Sequence, residues 1–66
     1  MFKVFKLVAG AERTLLSGGV PTKAEAVALA EAEAGAYEQH GYNDEHGFFW
    51  GRDESGEKQV RVWVER

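Results

Sequence analysis

The chain has 66 residues, a net charge of −3 and no cysteine. That length gives one domain near the lower limit for folding without staples, and the missing cysteines exclude a disulfide framework and a cysteine-based zinc site. No apolar run approaches the ~18–20 residues that cross a bilayer, and a lysine interrupts the short apolar stretch of MFKVFKLVAGAER, so neither a membrane span nor a signal peptide is expected and the chain reads as cytoplasmic.

In chain order, FKVFKLV (Phe2 to Val8) is rich in aromatic and branched residues and predicts a strand. AGAE reads as a turn, and RTLLSG (Arg13 to Gly18) as an antiparallel return. Thr22-Lys23-Ala24-Glu25 has the form of a capping box, with Pro21 fixing the entry. The alanine-rich segment from Lys23 to about Gln39 predicts a helix, with Gly35 an interior cost and Gly41 a stop just beyond it. At ~100° per residue, Ala26, Val27, Ala30, Ala34 and Tyr37 share one arc, and Leu29 lies off it. Two more strands are expected at residues 47–52 and 58–65. The order is then ββαββ, an α+β fold with a four-stranded antiparallel sheet and one helix on one face.

Charge is segregated along these elements. Between Lys23 and Arg52 there is no basic residue, while Glu25, Glu31, Glu33, Glu38, Asp44 and Glu45 are acidic. Lys3, Lys6, Arg13, Arg52, Lys58, Arg61 and Arg66 fall in the flanking segments. One acidic layer and one basic layer are expected.

The last hairpin decides which aromatics are free, because the turn sets the register and the register sets the faces. Asp53 suits the first position of a type I turn and Gly56 the fourth, where glycine accepts a left-handed backbone. A bulged three-residue loop of this kind pairs Asp53 with Glu57, Trp50 with Val60 and Phe48 with Val62. Phe48, Trp50, Val60, Val62 and Val64 then lie under the helix, and Phe49, Arg61 and Trp63 face away. A two-residue Ser55-Gly56 turn pairs Trp50 with Arg61 and Phe48 with Trp63 instead, leaving Phe49 with the valines. The bulged turn is preferred because it gives the larger aromatics to the valine side and accounts for Gly56.

Strand one is apolar on both sides. Phe5 and Leu7 are assigned to the core, since Lys3 can snorkel at the strand end and the central Lys6 cannot. The open face then carries Val4, Lys6, Phe49, Arg61 and Trp63 as interface candidates. An exposed apolar patch on a small protein marks an interface, and self-association as a homodimer, or docking of another protein, is the first reading. Holding single-stranded nucleic acid is the second, with bases stacked on Phe49 and Trp63 and phosphates met by Lys and Arg. The bland reading is that these side chains only cover one another.

Other motifs carry less. His40, Asp44, Glu45 and His46 match no metal-binding spacing and read as a solvated loop. SGGVPTK lacks the spacing of a phosphate loop and reads as a connector. Ser17 and Ser55 sit in turns without a base, so neither catalysis nor a cofactor is expected. Trp50-Gly51-Arg52 resembles the tripeptide that names a nucleic-acid-binding domain, but there the helix follows the motif and here it precedes it. Arg52 is read as a strand-end arginine near Asp53. Thr22-Lys23-Ala24-Glu25-Ala26-Val27 with Ala30 and Ala34, then Gly51-Arg52-Asp53 and Gly56, resembles a family of short bacterial proteins of unknown function. The match covers about half the chain and departs in the first strand and in HGYNDEHGFFW. It implies a bacterial cytoplasmic protein and no particular activity.

Overall fold

The two ends of the chain pair with each other in the middle of one sheet. The computed structural model describes residues 1–66 and arranges them as β1 (Phe2–Val8), β2 (Thr14–Val20), α1 (Lys23–Gly35), β3 (Gln39–Asn43), β4 (Phe48–Arg52) and β5 (Gln59–Glu65). The sheet order is β2-β1-β5-β4-β3, with every neighbouring pair antiparallel. Helix α1 carries the chain from the β2 edge to the β3 edge, and a meander then returns it to β1. The fold is α+β with one helix on one face, but the sheet has five strands rather than the expected four, and the order is ββαβββ.

The additional strand is β3. Its residues, Gln-His-Gly-Tyr-Asn, include no β-branched side chain and carry little strand propensity of their own. Continuous pairing with β4, from Gln39↔Arg52 to Asn43↔Phe48, makes it a strand. The helix correspondingly stops at Gly35 and does not reach Gln39. Tyr37 N–H donates to Ala34 O at 3.1 Å and closes the last turn. Gly35 is thus the helix terminus and Gly41 a strand residue.

At the other end Thr22 is the N-cap, and its hydroxyl accepts from Glu25 N–H at 3.2 Å. The core is small: Val4, Val20, Val60 and Val62 from the sheet meet Ala26, Ala30 and Ala34 from the helix. Alanine buries little area, and what it contributes is closeness. A Cβ on Gly51 would lie 2.8 Å from Ala34 O and 2.9 Å from the Tyr37 ring, so the end of α1 rests directly on the backbone of β4. Leu29 stays 46% exposed, in keeping with its position off the helix arc. The helix is too short and too charged to cross a membrane.

The β4–β5 turn keeps its expected chemistry and changes its length. Gly56 has φ +76° and donates its N–H to Asp53 O at 3.0 Å, as the type I turn requires. The closing pair, however, is Asp53 with Lys58, whose carbonyl accepts from Asp53 N–H at 3.0 Å. Phe49 therefore faces Val62, Trp50 faces Arg61 and Gly51 faces Val60. One residue of difference in closure transfers every side chain of β4 to the opposite face.

Candidate binding face on the open side of the sheet

Interior strand β1 sets the polarity of the faces. Val4 is fully buried toward the helix, and two residues on, Lys6 Nζ meets Glu33 Oε1 of α1 at 2.6 Å. The hydrogen bond to Glu33 holds the Lys6 ammonium above its ordinary value of 10.5, against the opposing effect of partial burial. Lys6 also lies 5.9 Å from the centre of the Tyr37 ring. Phe5 and Leu7 consequently point away from the helix.

Three of the five interface candidates are therefore misplaced. Val4 and Lys6 belong to the helix side, Val4 as core and Lys6 as an ion pair, because an acidic helix residue waits above the central lysine. Phe49 also packs against the core and lies 4.7 Å from Tyr42. Arg61 and Trp63 do lie on the open face. Phe5, Leu7, Phe48 and Trp50, assigned to the core from sequence, join them there. For Phe48 and Trp50 the signal is the alternative turn closure, which already paired Trp50 with Arg61 and Phe48 with Trp63; for Phe5 and Leu7 it is the apolar character of both faces of β1.

Phe5 and Trp63 are direct cross-strand partners, with rings stacked at 5.9 Å and 23° between planes. Leu15 flanks Phe5 on β2. The β4–β5 pairing ends at Phe49↔Val62, one residue short of Trp63, and a depression of about 390 Å³ opens among Leu7, His46, Phe48, Arg61 and Trp63. The His46 ring stacks on Phe48 at 6.3 Å, at the mouth of that depression. A second depression of about 480 Å³ adjoins it and is lined by Phe48, Trp50, Arg52 and Arg61 among others. Leu7, Phe48 and Arg61 border both, so the two adjoin as one trough that the Phe48–Arg61 pair divides.

Trp50 lies flat at the far side of the trough because its partner on β3 is Gly41. A Cβ there would fall 2.9 Å from Trp50 Cζ2, so the indole occupies the space a side chain would take. Such a ring over an edge-strand glycine covers backbone that would otherwise be bare.

The cations are set among the aromatics. Arg13 lies 4.6 Å above Phe5, Arg61 5.0 Å above Phe48 and Arg52 5.7 Å above Trp50. These distances suit cation–π contacts. Lys3 is exposed on the same face beside Glu65. Glu65 is the acidic residue among the strand positions of this face, and it is engaged, accepting from Trp63 Nε1 at 2.8 Å and from Arg13 at 3.3 Å. The layer behind the sheet carries Glu25, Glu31 and Glu33 on α1. The expected separation of charge is met in part: Glu25, Glu31 and Glu33 lie behind the sheet and Lys3, Arg13, Arg52 and Arg61 on its open face, but Lys6 is on the helix side and Glu38, Asp44 and Glu45 lie outside α1.

The candidate metal ligands His40 and His46 do not come together, and of the two His46 lies on the open face. His40 Nδ1 lies 3.1 Å from Tyr37 O, and His46 is stacked on Phe48. No three histidine, aspartate or glutamate side chains converge. In the β4–β5 turn, burial opposes ionisation of Asp53. Hydrogen bonds from Lys58 N–H, the Ser55 hydroxyl and the Gly56 and Glu57 amides outweigh it and hold the carboxyl below its usual 3.8.

No protein-family model, curated protein or solved structure matches this chain, so its function is argued from its own residues.

Proposed function

We propose that the chain is a non-enzymatic binding module that holds single-stranded nucleic acid in the trough of its open sheet face. The observation that carries this reading is the interleaving of Phe5, Phe48, Trp50 and Trp63 with Lys3, Arg13, Arg52 and Arg61 on one surface. Unpaired bases present apolar faces for stacking, each worth ~1–3 kcal/mol, and a phosphate beside every base. A surface that offers rings and cations in alternation meets both needs. The two depressions, sharing Phe48 and Arg61, offer places for adjacent nucleotides.

The overall charge of −3 is unevenly spread: on the open face Lys3, Arg52 and Arg61, with Arg13 beside them, stand against Glu65 among the strand positions, and Glu25, Glu31 and Glu33 lie on α1 behind the sheet. At the face itself the cations outnumber the acids, and local field rather than net charge governs encounter. Self-association through the same face is less well supported. A twofold contact would bring two copies of the same cationic set, Lys3, Arg52 and Arg61, into one interface, with Glu65 as their main offset.

The test is a titration of a labelled oligothymidylate or oligouridylate, followed by anisotropy over a salt series. With Lys3, Arg13, Arg52 and Arg61 meeting phosphates, log K should fall with log salt at a slope of roughly −2 to −3. A duplex of the same length should bind more weakly, since its bases are not free to stack. No binding at low salt, or binding indifferent to salt, overturns the reading.

A further inference from the structure

The sheet has two edges, and only one of them is defended. On β2 the register slips twice against β1, leaving Leu16 and Gly19 without partners, and Gly19 adopts φ +140°. Bulges of this kind bend an edge away from further pairing. On β3 the pairing with β4 is unbroken over all five residues. That strand has no bulge, no proline and no charged side chain, the devices that ordinarily keep an edge from recruiting another strand.

We propose that β3 is a self-association edge, pairing antiparallel with β3 of a second copy about a twofold axis at Gly41. The occupant is argued from the strand itself. With the axis at Gly41, Gln39 faces Asn43 of the second copy and His40 faces Tyr42. Amide meets amide on the open side and ring meets ring on the helix side, and within Gln39–Asn43 no charge meets its like, while Glu38 and Asp44 of opposite copies fall next to each other just beyond the strand ends. Gly41 at the axis presents no side chain to obstruct the contact. Tyr42, 53% exposed beside Phe49, gains cover.

The consequence for geometry is specific. Antiparallel pairing within one sheet keeps both helices on one side and both open faces on the other. The two copies then share a ten-stranded sheet, and the two Trp50 rings, each lying over its own Gly41, come side by side at the seam. This association uses an edge and touches the trough only at its Trp50 and Asn43 side, so it stands whether or not the trough binds nucleic acid.

Sedimentation over a wide range of protein concentration tests it, together with hydrogen exchange of the β3 amides directed away from β4. Expected is a concentration-dependent dimer in which those amides become protected. Tyr42→Lys and, separately, His40→Lys place a cation on the edge and should weaken the dimer roughly tenfold or more with an unchanged circular dichroism spectrum. Weakening by either folded variant supports the edge. A monomer at every concentration overturns the proposal. So does a dimer that both folded variants leave intact, or one that protects no outward β3 amide, since the contact would then lie elsewhere.

Discussion

The Trp50 indole lies across Gly41, in the space where a β-carbon would sit 2.9 Å from Cζ2. Cross-strand pairing brings the two residues together, and the absence of a side chain on one lets the other lie down on the sheet. A large aromatic is thereby half-buried on the face the helix does not cover. The same contact orders one wall of the trough beside Arg52 and Arg61.

Trp50→Ala should therefore cost about 1–2 kcal/mol in urea unfolding, below the 3–5 kcal/mol of a fully buried aromatic. It should also weaken oligonucleotide binding. A loss of stability in the upper range would mean that the ring belongs to the core.

Three glycines should respond differently to alanine, and urea midpoints can rank them. At Gly51 the new Cβ meets Ala34 O at 2.8 Å and the Tyr37 ring at 2.9 Å, and backbone cannot move aside without lifting the helix. The cost should be about 3 kcal/mol. At Gly41 the obstacle is a tryptophan ring that can tilt, and about 1 kcal/mol is expected. At Gly35, where nothing lies within 4 Å of the new atom, alanine should stabilise by about 0.5 kcal/mol. Gly51→Ala no worse than Gly41→Ala would contradict the close seating of α1 on β4.

Lys6 and Asp53 give stability opposite pH dependences. The folded-state pKa of Lys6 is raised, so its contribution is complete below its unfolded value near 10.5 and is lost as pH climbs through the higher folded value. Lys6→Met, which keeps the stem and removes the charge, should flatten the alkaline fall of the melting temperature. The folded-state pKa of Asp53 is lowered, so its contribution is complete above 3.8 and is lost as pH drops through the lower folded value. Asp53→Asn should flatten the acid limb. Thermal scans of both variants from strongly acid to strongly alkaline pH check the two signs together.

How much of this was legible in the sequence is best seen at the hairpin and at Lys6. The alanine arc of α1, the Thr22 cap and the strands at both ends follow from local patterns, and the structure has them. The turn was readable as chemistry, with Asp53 first and Gly56 fourth, but not as length. Closure by Lys58 in place of Glu57 exchanged Phe49 for Phe48 and Trp50 on the open face. Lys6 misled for a different reason. A central lysine is excluded from a covered face only if nothing there can meet it, and the position of Glu33 above it is a tertiary fact. Strand β3 was invisible because pairing, not composition, makes it a strand.

Arg61 borders both depressions and should act on binding more than on folding. Arg61→Ala should leave the urea midpoint nearly unchanged, since the side chain is exposed. It should lower oligonucleotide affinity and reduce the magnitude of the salt slope by about 0.7, the share of one phosphate contact. Loss of affinity with an unchanged slope would assign Arg61 a stacking role alone.

The most direct measurement is an NMR titration of the protein with a short oligothymidylate at low salt. The expected result is movement of the Trp50 and Trp63 indole signals and of the Phe5, Leu7, Phe48 and Arg61 amides. Ala26, Ala30 and Ala34 on the far side of the sheet should stay in place. Shifts confined to the helix, or no shifts at all, would contradict binding at the open face.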